Sequence, residues 1–219
     1  PERYCKSVLF RRTIVLYFMP RVSSKDKYTQ QVFELFKLRG LTLNMEEIAQ
    51  ELGLTKKTLY NNFNSKPELI GTVLNYFYST LEKEIALADQ KSENAIESFL
   101  TVAVIISDEI LKLGPLLLKD YSIYKSSLNI SAFTDRKNFY SRLVKKNLEL
   151  GIEQGLYRDN LNMDYVTLFY TSAIELFYRW DNDGFKYFED SVEFHRELVI
   201  HHLNSVINEN GYAVLQKYL

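Results

Sequence analysis

Apolar residues recur at three- and four-residue spacing through most of the 219-residue chain, and that period predicts helix after helix. Tyr28, Val32, Leu35 and Phe36 mark a first helix over Ser24 to Leu38, which Gly40 closes. Asn44 opens a second as its cap, with Glu47 three residues on to complete a capping box. Ile48, Ala49 and Leu52 form its inner face, and Gly53 supplies the turn after it. Thr55 then caps a third helix. Leu59 and Phe63, four apart, anchor it, so Lys57 and Asn61, at about 160° from Leu59, point away from the core. Ser65 and Glu68 form a second capping box, with Lys66 and Pro67 in the first turn of a long fourth helix. Two short helices around a glycine turn are the layout of a helix-turn-helix.

The apolar period continues without a linker through Leu69, Ile70, Val73, Leu74, Phe77, Tyr78, Leu81 and Ile85. One rigid element therefore joins the first unit to the rest of the chain. Further helices are predicted at about Asn94 to Leu113, Pro115 to Tyr124, Asp135 to Gln154, Asp164 to Trp180 and Ser191 to Asn210. The fold class is all-α. The expected organisation is an N-terminal extension (1–22), a three-helix unit with the helix-turn-helix (23–70) and a larger helical domain (71–219).

The first 22 residues are the least legible. Apolar patches at Val8 to Phe10 and Ile14 to Met19 flank Arg11 and Arg12. A secretory leader, a basic arm along DNA, and an extension upstream of Met19 without a role all fit, and the last is preferred, disordered or not native to the domain.

Composition narrows the classes. Glycine and proline are scarce, at 8 and 4, which suits helices. Net charge is -1, yet residues 1–70 carry 12 Lys/Arg against 7 Asp/Glu and the remainder 15 against 21. Positive charge thus collects on the part with the helix-turn-helix, as phosphate binding requires. The single cysteine, Cys5, makes no internal disulfide, and no Cys/His cluster has zinc spacing, so a reducing, cytoplasmic setting is expected and no metal or cofactor. No apolar run approaches a membrane span. No nucleophile with a base, carboxylate pair or phosphate loop stands out, and an enzyme is not expected.

Lys57, Thr58, Tyr60 and Asn61 are the side chains the third helix offers to a major groove, where Lys suits guanine acceptors and Asn suits adenine. At the start of the fourth helix, free N–H groups, the helix dipole and Lys66 would converge on a phosphate. The stretch Ile48, Ala49, Leu52, Gly53, Leu54, Thr55, Thr58, Leu59, Tyr60, Phe63, Ser65, Lys66, Leu69 resembles the TetR family of bacterial transcriptional regulators, over about Tyr28 to Leu81. The run Gly151, Gly155, Leu156, Tyr157, Arg158, Asp159 resembles, more weakly, the family's loop before its penultimate helix. The chain departs from the pattern at Val32, where Ala is usual, at Lys57, and in a short loop from Gly40 to Asn44.

The resemblance implies a recognition helix at Thr55 to Asn62, with Tyr60 and Lys66 at phosphate positions. The expected DNA-contacting residues are Asn44, Thr55, Lys56, Lys57, Thr58, Tyr60, Asn61, Asn62 and Lys66. It also implies a homodimer on a palindromic operator, and a repressor released when a small apolar or amphipathic effector enters the larger domain. Tyr121, Tyr124, Phe139, Tyr140, Phe169 and Tyr170 are the candidate pocket. Leu168, Ser172, Glu175, Leu198, His202 and Val206 are the candidate dimer face, and His195, His201 and His202 are read as ordinary surface or interface histidines. The competing reading is a ligand- or partner-binding helical protein that keeps the helix-turn-helix as scaffold.

Overall fold

The computed structural model describes residues 23–127, 131–177 and 191–219, and these are helical nearly throughout. The predicted helix ends hold at the N-terminal side because the caps are real. Helix α1 (Ser24–Arg39) starts on Ser23, whose hydroxyl accepts the N–H of Asp26. In α2 (Met45–Glu51), the Glu47 N–H donates to the Asn44 side chain at 3.0 Å and the Asn44 N–H donates to the Glu47 carboxylate at 2.7 Å, closing the capping box. Helix α3 (Lys56–Asn62) starts on Thr55, which accepts the Thr58 N–H.

Helix α4 (Lys66–Asp89) also has its predicted cap, but not the box. Ser65 accepts the Glu68 N–H at 3.3 Å, while the Glu68 carboxylate reaches past Ser65 to the N–H and side chain of Asn64, at 2.9 and 2.8 Å, and to Lys25. These donors, the Asn64 N–H foremost, hold the Glu68 carboxyl below its ordinary range.

The stretch α5 (Ala95–Ser127) is two helical segments that meet at a kink where two helices were expected to part, with Gly114 outside helical geometry (φ 76°, ψ 159°). It is followed by α6 (Ser131–Glu153), α7 (Met163–Phe177) and α8 (Ser191–Val206). The expected single last helix is broken. Asn208 accepts the N–H of Gly211 and starts α9 (Glu209–Leu215), so the chain turns at Ile207. That turn is pinned to the loop between α6 and α7: Arg158 N–H donates to Val206 O at 2.9 Å and Asn208 N–H to Leu156 O at 3.0 Å.

Among the described residues, three apolar clusters hold the helices. One unites α1 to α4 around Val32, Phe36, Ile48, Leu59, Phe63 and Leu69, and it includes Leu117 from beyond the bend in α5. A second joins α4, α5 and α6 through Phe77, Leu81, Ile85, Ile106, Phe139 and Tyr140. The largest packs α5 to α9 around Ile96, Phe99, Leu148, Tyr157, Leu203 and Val206. Among the described residues no helix is long and apolar enough to cross a membrane. The expectations for residues 1–22 lie outside the described residues.

Candidate functional site

The outward face of α3 is set by what α3 buries. Leu59 and Phe63 are fully enclosed, and Gly53, at φ 65°, turns the chain so that α2 and α3 pack against each other. Lys57, Tyr60 and Asn61 are left exposed on the far side. The other expected contact residues are partly spent on local structure. Thr58 is half-buried, its hydroxyl 2.8 Å from that of Thr55, and the Asn62 side chain donates to Thr58 O at 2.8 Å. Asn44 is exposed but occupied by its cap.

Lys56 and Lys66 also engage protein groups. Lys56 forms an ion pair with Glu46 across the turn and lies 5.7 Å from the Tyr60 ring centre. Its hydrogen bond lowers the Glu46 carboxyl and raises the Lys56 ammonium. Lys66, half-buried at the start of α4, donates to the Thr42 carbonyl at 3.3 Å. Both are held by protein groups because the close packing of α2, α3 and α4 puts an acceptor within reach of each. The charge excess also needs correction. Residues 23–70 hold seven Lys/Arg against six Asp/Glu, so most of the positive balance of residues 1–70 belongs to 1–22.

The larger half contains a small crevice of about 50 Å³, partly open to solvent, bounded by α4, α5, α6, α7 and α8. Its wall is mainly apolar, with Ile85, Val102, Ile106, Val144 and Ile174 prominent. Of the expected pocket residues, Tyr140 and Tyr170 line it. Phe139 is buried nearby against Tyr78 and Tyr140 but does not reach the space. Phe169 is 74% exposed, because one residue along α7 from Tyr170 turns the side chain about 100° out of the core. The side chains of Tyr121 and Tyr124 lie outside the described residues.

The sequence reading missed the polar groups of this wall: Asp89, Ser98, Lys146, Asn147 and His195. Asp89, at the end of α4, accepts from Ser98 Oγ and from Lys146 Nζ. Asn147 donates to Ala95 O at 2.7 Å and accepts from Tyr157 Oη at 2.9 Å. A signal for Asn147 existed in its place on the apolar face with Val144 and Leu148. A similar signal existed for the histidines. His195 and His202 share the spacing of Val199 and Val206, and both are buried inside the protomer, which corrects their reading as surface or interface residues. Desolvation lowers the pKa of each to about 4.

The candidate dimer face divides. Leu168, 49% exposed, and Ser172 are outside, in one stripe with Tyr165 and Phe169. Leu198 is half-buried, whereas His202 and Val206 belong to the protomer's own core, since α8 turns that face toward Phe99 and Tyr170. The Glu175 side chain lies outside the described residues.

Residues 32–73 match the profile of the bacterial regulatory proteins of the tetR family. Over 107 residues the chain is 30% identical to the uncharacterized HTH-type transcriptional regulator YvaF of Bacillus subtilis (strain 168), a match that takes in 47% of this chain and 56% of that relative's length. Among solved structures, a TetR/AcrR-family transcriptional regulator from Thermobifida fusca aligns with a TM-score of 0.58 at 18% identity, covering 80% of this chain and 96% of the other. A regulator from Saccharomonospora viridis, solved in complex with choline, aligns with a TM-score of 0.68 at 14% identity, covering 84% and 98%. At these identities the structural likeness speaks for the fold.

Proposed function

Taking as premise that residues 32–73 are a TetR-family DNA-binding domain, we propose that the chain is a transcriptional regulator whose hold on DNA is changed by a small molecule in the crevice of its larger half. One observation carries the reading. Lys57, Tyr60 and Asn61 stand exposed on a helix anchored by the fully buried Leu59 and Phe63, and that unit is continuous, through α4, with the crevice wall. Lys57 and Asn61 are the base-reading groups of the proposal, suited to guanine and adenine edges. Helix α4 spans about 36 Å at 1.5 Å per residue, with Lys66 at one end and Ile85 and Asp89 in the crevice wall at the other. A molecule that spreads α4 from α6 moves the recognition helix, which is how occupancy lowers DNA affinity and releases a repressor. The exposed stripe Tyr165, Leu168, Phe169, Ser172 is the proposed face for a second copy, which a palindromic operator would require.

The test is fluorescence anisotropy with DNA from upstream of the chain's own coding sequence, repeated across salt concentrations. Specific binding with a steep salt slope, weakened by Lys57→Ala and by Asn61→Ala, is expected. If both variants bind like the parent, this face is not the reader.

A second reading, a ligand- or partner-binding protein that keeps the helix-turn-helix as scaffold, is favoured by the nearly even charge of residues 23–70 and by the engagement of Lys56 and Lys66 with protein groups. It predicts no salt-dependent DNA binding at all.

A further inference from the structure

The carboxylate of Glu68, in the first turn of α4, is bonded to the exit of α3 and to α1. Its Oε2 accepts the backbone N–H of Asn64 at 2.9 Å and the Asn64 side-chain amide at 2.8 Å, and its Oε1 accepts Lys25 Nζ at 3.2 Å. Lys25 in turn lies over the ring of Phe63, 5.4 Å from its centre. Phe63 closes α3, its N–H donating to Leu59 O, so Asn64 is the first residue beyond that helix and its cap. Resting on the reading of α3 as the recognition helix, we propose that Glu68 is a positioning residue for base recognition: it fixes the exit of α3 against α1 and α4, and with it the aim of Asn61.

A capping-box glutamate ordinarily returns to the backbone N–H of its own cap. Glu68 places its bonds one residue earlier and on α1, so they restrain the segment between α3 and α4 rather than the start of α4 alone. The restraint is directional. Buried Leu59 and Phe63 keep α3 on the core, but apolar contacts are non-directional and resist rocking of a short helix less than bonds of fixed geometry. Base reading tolerates an angular error of only about 10–20°. The start of α3 has a tether of its own, made by the Thr55 cap and the Lys56 pair with Glu46. Lys57 stands beside that tether, whereas Asn61 stands three residues before Asn64, at the end that Glu68 holds. The bonds from Asn64 and Lys25 keep the Glu68 carboxyl below its ordinary range, so it is charged at neutral pH. Loss of this side chain releases the Asn61 end of the helix first.

Anisotropy with the full chain and two duplexes tests this: DNA from upstream of its own coding sequence, and a scrambled duplex of the same length and composition. The readout is the ratio of the two affinities. A change in net charge or in folded fraction acts on both duplexes alike and does not move it. Glu68→Ala should lower the ratio at least about fivefold, the lower end of what one base-reading side chain contributes. Glu68→Gln loses the same charge but keeps an acceptor for Asn64, and should stay closer to the parent. Asn64→Ala removes one bond from an exposed residue and should lower the ratio less, in the same direction, which keeps a test in hand if Glu68→Ala folds poorly. Coupling locates the effect. Glu68→Ala added to Asn61→Ala should cost no more than about twofold further, whereas added to Lys57→Ala it should cost nearly its full single effect. A parent-like ratio in both Glu68→Ala and Asn64→Ala, equal losses in Glu68→Ala and Glu68→Gln, or additivity with Asn61→Ala overturns the proposal and leaves the regulator reading standing. A parent that does not prefer its upstream duplex overturns both.

Discussion

The carboxylate of Asp120, 5% exposed beyond the bend in α5, accepts the backbone N–H of Leu41 at 2.7 Å, across 79 residues of sequence. Leu41 lies in the loop between α1 and α2, so this bond ties the larger half to the helix-turn-helix unit beside the apolar contact of Leu117. Asp120→Ala would leave that N–H buried and unpartnered, at a cost of about 1–3 kcal/mol in urea-unfolding stability. Asp120→Asn keeps an acceptor oxygen and should lose clearly less. Equal losses in the two variants would mean that the bond is not what Asp120 contributes.

What was legible in the sequence was local. Caps act over three residues and faces repeat over four, so the ends of α1 to α3, the inward Leu59 and Phe63 and the outward Lys57 and Asn61 could be read directly. What escaped depended on packing between distant segments. Asp89 meets Lys146 from 57 residues away and Asp120 meets Leu41 from 79, and no period encodes either pairing. The ion pair of Lys56 was not legible either, because its partner, Glu46, sits on the preceding helix and comes within reach only when Gly53 folds α3 back. The break at Asn208 carried a cap signal, but an apolar period continuing into Ile207 masked it.

The Lys56 ion pair with Glu46 makes a prediction about salt dependence. A lysine that stays paired releases no counterion from DNA, so Lys56→Ala should leave the slope of log affinity against log salt nearly unchanged. Glu46→Gln frees the ammonium for phosphate and should steepen the slope by about one. Anisotropy from low to moderate salt reads both. A slope that falls by about one in Lys56→Ala would show that the pair opens on DNA.

Gly151 is the point where α6 lets the following loop return across it. A Cβ at this position would stand 2.1 Å from the Tyr157 ring, and Tyr157 is 2% exposed with its hydroxyl bonded to Asn147. The ring cannot give way without losing that bond and the turn beside Ile207. Gly151→Ala should therefore destabilise the fold by about 1–3 kcal/mol or more, as overpacking does. Combining it with Tyr157→Ala should recover part of that loss, because the clash is gone. Thermal denaturation of the two single variants and the double variant measures the coupling.

His202 lies between Phe99 and Tyr170, with ring centres 4.6 and 4.4 Å away, and its Nε2 is buried without a hydrogen-bond partner. Its pKa, and that of His195, falls to about 4 from an ordinary 6.5 because burial disfavours the charged ring. Between those values the unfolded chain binds protons that the folded chain refuses, so stability rises with pH in this window and is lost as pH falls from about 6.5 toward 4. The shift corresponds to at most about 3 kcal/mol for each histidine, the whole of it available only above the upper value. His202→Phe keeps the ring stack and removes the titration. Urea midpoints at pH 7.5 and pH 5 should therefore lie closer together in His202→Phe than in the parent, and an unchanged gap would mean that His202 is accessible to protons in the folded state.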